Sequence, residues 1–204
     1  MTALYNMLAK GGIMMIPLLL TSIIGLAVFV ERAFYLRRKN ILHPDDILLL
    51  RSSRTAKDVE DFLNHAKLSK GPLSNIVRIA LSGKNKSREV LKEAISDQGR
   101  YETRSMERAL VILETIAGIA PLMGLLGTVL GMIKVFQVIS VEGLGQTQHL
   151  AGGISEALIT TVVGLFIAIP SLVAYNFFTH RVEDLVLDIE KYSAEVVEKL
   201  QDQS

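Results

Sequence analysis

The stretch Gly152-Gly153-Ile154-Ser155-Glu156-Ala157-Leu158-Ile159-Thr160-Thr161-Val162-Val163-Gly164-Leu165-Phe166-Ile167-Ala168-Ile169-Pro170 is an apolar run with one acid inside it. From Gly143 to Thr179, Glu156 is the only Asp, Glu, Lys or Arg. About 20 apolar residues at 1.5 Å each cross a hydrocarbon core of about 30 Å, so a run of this length reads as a membrane-spanning helix. Two more follow the same logic. Thr115 to Ile133 carries no charge, and Ile13 to Val30 is eighteen uncharged residues, about 27 Å as a helix. Three spans are expected, roughly 13–36, 110–138 and 150–178, giving an all-α integral membrane protein.

The first run also invites reading as a signal peptide, with Lys10 before it. Its length argues against this, no small-x-small cleavage site follows, and it leads into the cationic Glu31 to Lys39 segment that stops a retained span. Orientation follows from the bases. Residues 31–108 hold seventeen of the twenty-two Lys and Arg, and the Val141 to His149 connection holds none. Positive residues near span ends stay cytoplasmic. The expected topology therefore places the N-terminus and that connection on the periplasmic side and the C-terminus in the cytoplasm. The tail has seven acids and three bases, so its placement rests on span parity.

Four regions follow: 1–36, the N-terminus and first span; 37–109, a cytoplasmic helical region; 110–178, the second and third spans; and 179–204, a cytoplasmic C-terminal helix. In the second region Pro44-Asp45-Asp46 has the form of a helix start, as does the capping-box pattern from Thr55 to Asp58, and Gly71-Pro72 breaks the chain before the Ile76, Ile79, Ala80 stripe. No Pro occurs between Ser87 and Pro121, so one helix of about 75 Å is expected from Ser87 to Ile139. After the third span, Val182, Leu185, Ile189, Tyr192 and Val196 alternate steps of three and four, predicting a continuing helix packed on the extension of the second.

Several chemistries are excluded or unsupported. Without cysteine there is no disulfide and no Cys-ligated metal. His43, His65, His149 and His180 are scattered, so no metal site is expected. No cofactor is expected either. A net charge of +1 gives no reason to invoke nucleic acid. The membrane glycines lack the Lys-Ser/Thr of a phosphate loop, and no nucleophile-base pair is visible, so the chain does not read as an enzyme.

The polar groups at membrane depth carry the functional reading. In the second span Gly124, Thr128 and Gly131 fall on one helix side with Pro121 and Gly127 at its margins, a face that lets helices approach closely. That face, with Ala157, Thr161 and Gly164 in the third span, is expected to pack against other subunits or a partner. Glu156 is an acid of the kind that marks an ion or proton path, or else an interfacial group reached by water. At 100° per residue Thr160 lies 40° from Glu156 and Thr161 about 140° away, so one threonine should face a lumen or partner and the other a neighbouring subunit. The geometry does not choose between them. Glu114 and Lys134 are expected to reach interfacial water at opposite ends of the second span.

At these residues the chain resembles the MotA/TolQ/ExbB proton-channel subunits. Ala120-Pro121-Leu122-Met123-Gly124-Leu125-Leu126-Gly127-Thr128-Val129-Leu130-Gly131-Met132 is similar to the second-span signature, and Gly153 to Pro170 to the third, with Tyr175-Asn176 and Glu31-Arg32 extending the likeness. Three spans and one moderate cytoplasmic region place it nearer the ExbB/TolQ branch than MotA. The resemblance implies a homo-oligomer, a pentamer, enclosing the helices of an ExbD/TolR-like one-span subunit whose membrane Asp carries the proton. A TonB- or TolA-like protein would be the further partner. It implies pore-side roles for Thr128 and Thr161 and a proton-path role for Glu156, with Thr160 where a small residue is usual. Gly164 and Pro170 join the helix-packing set. The implied function is the scaffold of a proton-driven motor in the Gram-negative inner membrane, powering TonB-type transport. Alternatives are a TolQ-like envelope motor, a gliding or secretion motor, and a passive scaffold.

Overall fold

A computed structural model describes residues 11–52, 56–69, 71–82, 87–142 and 147–201, and in these residues the chain is helical without strands. It divides into two compact units, Met1–Val30 with Leu110–Asn176, and Glu31–Ala109 with Phe177–Ser204.

The first unit is built on three long apolar helices, each long and apolar enough to cross a membrane. Helix α1, Met15–Tyr35, tolerates Pro17 because the first turn needs no amide donors, and Gly12 before it turns the chain at φ +66°, a conformation that favours glycine. Helix α7, Leu110–Glu142, and helix α8, Thr147–Gln201, carry Pro121 and Pro170 in their interiors. Each proline removes one intrahelical hydrogen bond, an omission that membrane helices accommodate. Met15, Leu18, Ile116, Ala120 and Ala168 form the core, with Met123, Val163 and Ile167 against it. The outer faces stay apolar: Leu26 is 65% exposed, Leu122 63% and Phe166 77%. Such a surface belongs in lipid or against other protein, not in water.

The second unit contains α2 (Arg38–Ile41), α3 (Pro44–Ser52), α4 (Ala56–Leu68), α5 (Pro72–Ser82), α6 (Arg88–Glu107) and the α8 tail. Pro44 and Pro72 open their helices, as expected from their position, and Asp45 and Asp46 lie in the first turn of α3. Thr55 of the expected capping box lies outside the described residues. Asp46 is fully buried. Its carboxylate meets His65 Nδ1 at 2.8 Å, accepts from Ser69 at 3.1 Å and from Ser74 at 3.4 Å, tying α3 to α4 and α5. Buried Glu102 of α6 likewise accepts from Asn75 (2.8 Å) and Gln98 (2.7 Å).

All five seam residues of the α8 tail, Val182, Leu185, Ile189, Tyr192 and Val196, are buried. The tail is fastened by Arg38 to Asp188 at 2.9 Å, by Arg51 to the Tyr192 hydroxyl at 3.4 Å and by Lys199 to the Leu50 carbonyl. Those partners belong to α2 and α3. Helix α6 and the tail line a common cleft of about 1150 Å³, with Ile76, Ile95, Val186 and Ile189 among its apolar residues and Lys92, Arg100, Glu107 and Glu190 among its charged ones.

The single helix expected from Ser87 to Ile139 is present as one helical run, Glu89–Val141, with only a local irregularity at Arg108 and Ala109 between α6 and α7, where Arg108 keeps φ −48° and ψ −41° and donates its amide to the Arg104 carbonyl at 3.1 Å. No Pro or Gly marks the spot. Arg32, buried and bidentate with Glu31 at 2.8 and 3.0 Å, donates from Nη1 to the Met106 carbonyl at 3.0 Å. The Arg32 guanidinium thus adds a tertiary donor to the last-turn Met106 carbonyl of α6. Sequence spacing does not reveal that contact.

Candidate functional site

Helices α7 and α8 lie antiparallel along a seam of small residues. A Cβ added to Gly164 would lie 2.6 Å from the Ala120 carbonyl oxygen and 3.1 Å from Gly124 Cα. One on Gly124 would lie 2.9 Å from the Thr160 carbonyl, and one on Gly131 2.8 Å from Ala157 Cβ. Gly127 is packed directly on the Thr160 side chain. Each glycine lowers helix propensity by about 1 kcal/mol relative to alanine, a cost offset here by backbone-to-backbone approach. The small faces of both spans therefore meet each other inside one subunit. The expected close packing of these faces is met within one chain; contacts with other subunits or a partner remain an expectation of the sequence. Pro121 is half-buried, Pro170 is exposed, and neither contributes to the glycine contacts.

The seam holds two hydroxyls together. Thr128 Oγ1 and Thr161 Oγ1 are hydrogen-bonded to each other, Thr128 also reaches the Ala157 carbonyl at 3.1 Å, and Thr161 reaches the Gly124 carbonyl at 3.2 Å. A hydroxyl has one proton to give. Two senses of donation satisfy both groups: Thr161 donates to Thr128, which donates to Ala157 or, at 3.3 Å, to Gly124, or Thr128 donates to Thr161, which donates to Gly124. The hydroxyl protons of the pair can therefore be ordered in either sense.

Thr160 is different. It is fully buried, and its hydroxyl is spent on its own helix, donating to the Ala157 carbonyl at 2.8 Å with the Glu156 carbonyl at 3.3 Å. The two threonines were expected to face different neighbours, yet both lie against α7. Glycines let the helices come so close that residues 100° apart on α8 touch the same partner helix.

Glu156 is paired. Lys134 Nζ lies 2.5 Å from its Oε1, with the lysine side chain 53% exposed and the glutamate 22%. Lys134 was expected to reach interfacial water, and its side chain is half-exposed; the antiparallel register also brings it opposite Glu156, a pairing the sequence reading did not foresee. Gly12 also abuts the carboxylate, so that a Cβ there would overlap Oε1. Spacing along one helix cannot show a partner on another. The signal available in the sequence was the register itself: setting Gly131 against Ala157 puts Lys134 within a turn of Glu156. Glu114, at the other end of α7, is exposed as expected.

Three long apolar helices, two of them joined along a glycine seam that holds hydroxyls and an ion pair, define a multi-pass helical membrane protein with polar groups inside its helix contacts. Comparison with known proteins assigns the class. Residues 68–191 match the MotA/TolQ/ExbB proton channel family. A Synechocystis protein described as an ExbB-like biopolymer transport protein is 32% identical over 179 residues, covering 82% of this chain and 67% of its own length. The biopolymer transport protein ExbB of Aquifex aeolicus is 39% identical over 92 residues, 45% of this chain and 62% of that protein. The Tol-Pal system protein TolQ of Haemophilus influenzae is 41% identical over 87 residues, 43% of this chain and 38% of that protein. The chain belongs to the MotA/TolQ/ExbB proton channel family, and its relatives place it in the ExbB/TolQ branch.

Proposed function

We propose that this protein is the proton-channel scaffold of an inner-membrane motor that couples the proton-motive force, through an ExbD/TolR-like one-span partner, to TonB-type energised transport across the outer membrane. The observation that carries the reading is the Thr128–Thr161 hydroxyl pair held between two apolar helices of a proton-channel family member. A hydroxyl chain with two proton arrangements can pass a proton to or from a carboxylate without itself ionising. This chain contributes one acid, Glu156, to the uncharged reach of its third span, so the partner's membrane Asp supplies the carrier. One charge crossing 100 mV releases about 2.3 kcal/mol, so a few protons per event can drive a rearrangement.

In this reading the subunits form a pentamer around the partner's helices. Their N-termini are periplasmic, and residues 37–109 and 179–204 lie in the cytoplasm. A Tol-type envelope motor, acting on a TolA-like protein, is the second reading, favoured by the similarity to TolQ. Coexpression with a one-span, Asp-bearing partner tests the assignment. Native mass spectrometry is expected to show five copies of this chain retaining the partner. A stable monomer in mild detergent, or no retained partner, would overturn it. Growth dependent on energised uptake, against envelope integrity in detergent, separates the two readings.

A further inference from the structure

The Lys134–Glu156 pair borders a cavity of about 160 Å³ whose wall also includes Gly11, Met14, Gly127 and Leu130. Among the described residues Lys134 and Glu156 are its only charged lining groups, and the rest of that wall is apolar or glycine. The volume is large enough for several waters, each needing polar partners that only this pair's side chains and the local backbone supply. Gly127 lies on its wall and packs against the buried Thr160 side chain.

Two features fix where the carboxylate sits. Lys134 approaches from α7, and the turn at Gly12 approaches from the start of α1, so close that no side chain fits there. Gly12 is also the only residue described with positive φ among the glycines, and no other residue type shows one. Backbone conformation and space both call for glycine at that point. The ammonium opposite balances the carboxylate's charge. The result is a side chain held from two sides at the mouth of a small polar-ended cavity.

We propose that Lys134 is a positioning residue for Glu156: with the Gly12 turn, it holds the carboxylate in one place on the wall of this cavity. This rests on the proton-channel reading, in which Glu156 lies on the proton path. Losing the ammonium frees the carboxylate, whereas a guanidinium keeps it in place.

The test uses the complete complex, this chain with its one-span partner, in proteoliposomes. A water-soluble carbodiimide joins a carboxylate and an amine only when they touch, so the wild-type complex should yield a Lys134–Glu156 cross-link by mass spectrometry. Gly12→Ala should reduce that cross-link at least threefold. Driven proton flux should fall at least fivefold in Lys134→Met and stay within twofold of wild type in Lys134→Arg, with equal recovery of assembled complex. Absence of the cross-link in the wild type overturns the geometry even if the variants fail to assemble. Lys134→Met flux within twofold of wild type, or an equal loss in Lys134→Arg, overturns the positioning role. Thr161→Val provides the separate control. If it keeps full flux the hydroxyl-chain reading fails, while the cross-link and the Met–Arg contrast still decide this one.

Discussion

Replacing Thr161 by Val removes one hydroxyl and keeps the shape of the side chain. In the structure that hydroxyl has two partners, Thr128 Oγ1 and the Gly124 carbonyl at 3.2 Å. Thr128 keeps the Ala157 carbonyl at 3.1 Å, so no buried donor is orphaned. The stability loss should then be that of one net hydrogen bond, about 0.5–1.5 kcal/mol, too little to unfold the subunit or dissociate its assembly. Flux answers differently. With one of two hydroxyls gone neither proton arrangement can form, and a tenfold fall corresponds to only about 1.4 kcal/mol in the barrier. Driven proton flux should therefore drop at least tenfold while the thermal midpoint of the purified complex moves only slightly. Thr160→Val is the matched control, since its hydroxyl serves carbonyls of its own helix, and flux should stay within twofold. The assay is dye-monitored proton uptake into proteoliposomes, alongside growth on a cargo that needs energised uptake. Full flux in Thr161→Val, or an equal loss in Thr160→Val, would refute the hydroxyl-chain reasoning.

Reporter fusions at Lys84 and after Ser204 are expected on the cytoplasmic side and one at Gly145 on the periplasmic side; any two in the wrong compartment would reject the three-span topology. Gly164→Ala forces a methyl against two backbone atoms, 2.6 Å from the Ala120 oxygen and 3.1 Å from Gly124 Cα, and should destabilise by about 1–3 kcal/mol. Gly118→Ala meets nothing within 4 Å and should stay within about 0.5 kcal/mol, so equal thermal shifts in the two would contradict the seam. Asp46→Ala removes the acceptor shared by His65, Ser69 and Ser74 and should cost about 2–3 kcal/mol, mostly from the buried Ser74 hydroxyl and less from half-exposed His65; a shift under about 0.5 kcal/mol would show that the network contributes nothing.

What could be read from the chain is what repeats along one helix. The three apolar runs fall within α1, α7 and α8, Pro44 and Pro72 open the helices their positions imply, and every residue of the Val182 to Val196 seam is buried. Those signals are local: length, period and terminal chemistry. What stayed hidden depends on which residues meet across helices. Lys134 and Glu156 are 22 positions apart, and only the antiparallel register joins them. Thr160 and Thr161 share a partner because glycine contacts shorten the interhelix distance, a quantity that angular position on one helix does not contain. Arg32 reaches the Met106 carbonyl across 74 positions, a contact that no pattern along one helix contains.

The two-way hydroxyl pair has an electrical consequence. Switching from one arrangement to the other moves each proton by roughly 1 Å, about one thirtieth of a hydrocarbon core about 30 Å thick. At about 2.3 kcal/mol per charge for a full 100 mV drop, the two shifts together gain on the order of 0.15 kcal/mol even if both were aligned with the field. A tenfold preference needs about 1.4 kcal/mol. Membrane voltage is therefore nearly blind to which way the Thr128–Thr161 chain points. In the proposed channel, then, only a group that offers or takes a proton at one end would set its direction, making the seam a chemical selector and leaving the field to act on charges that travel much further.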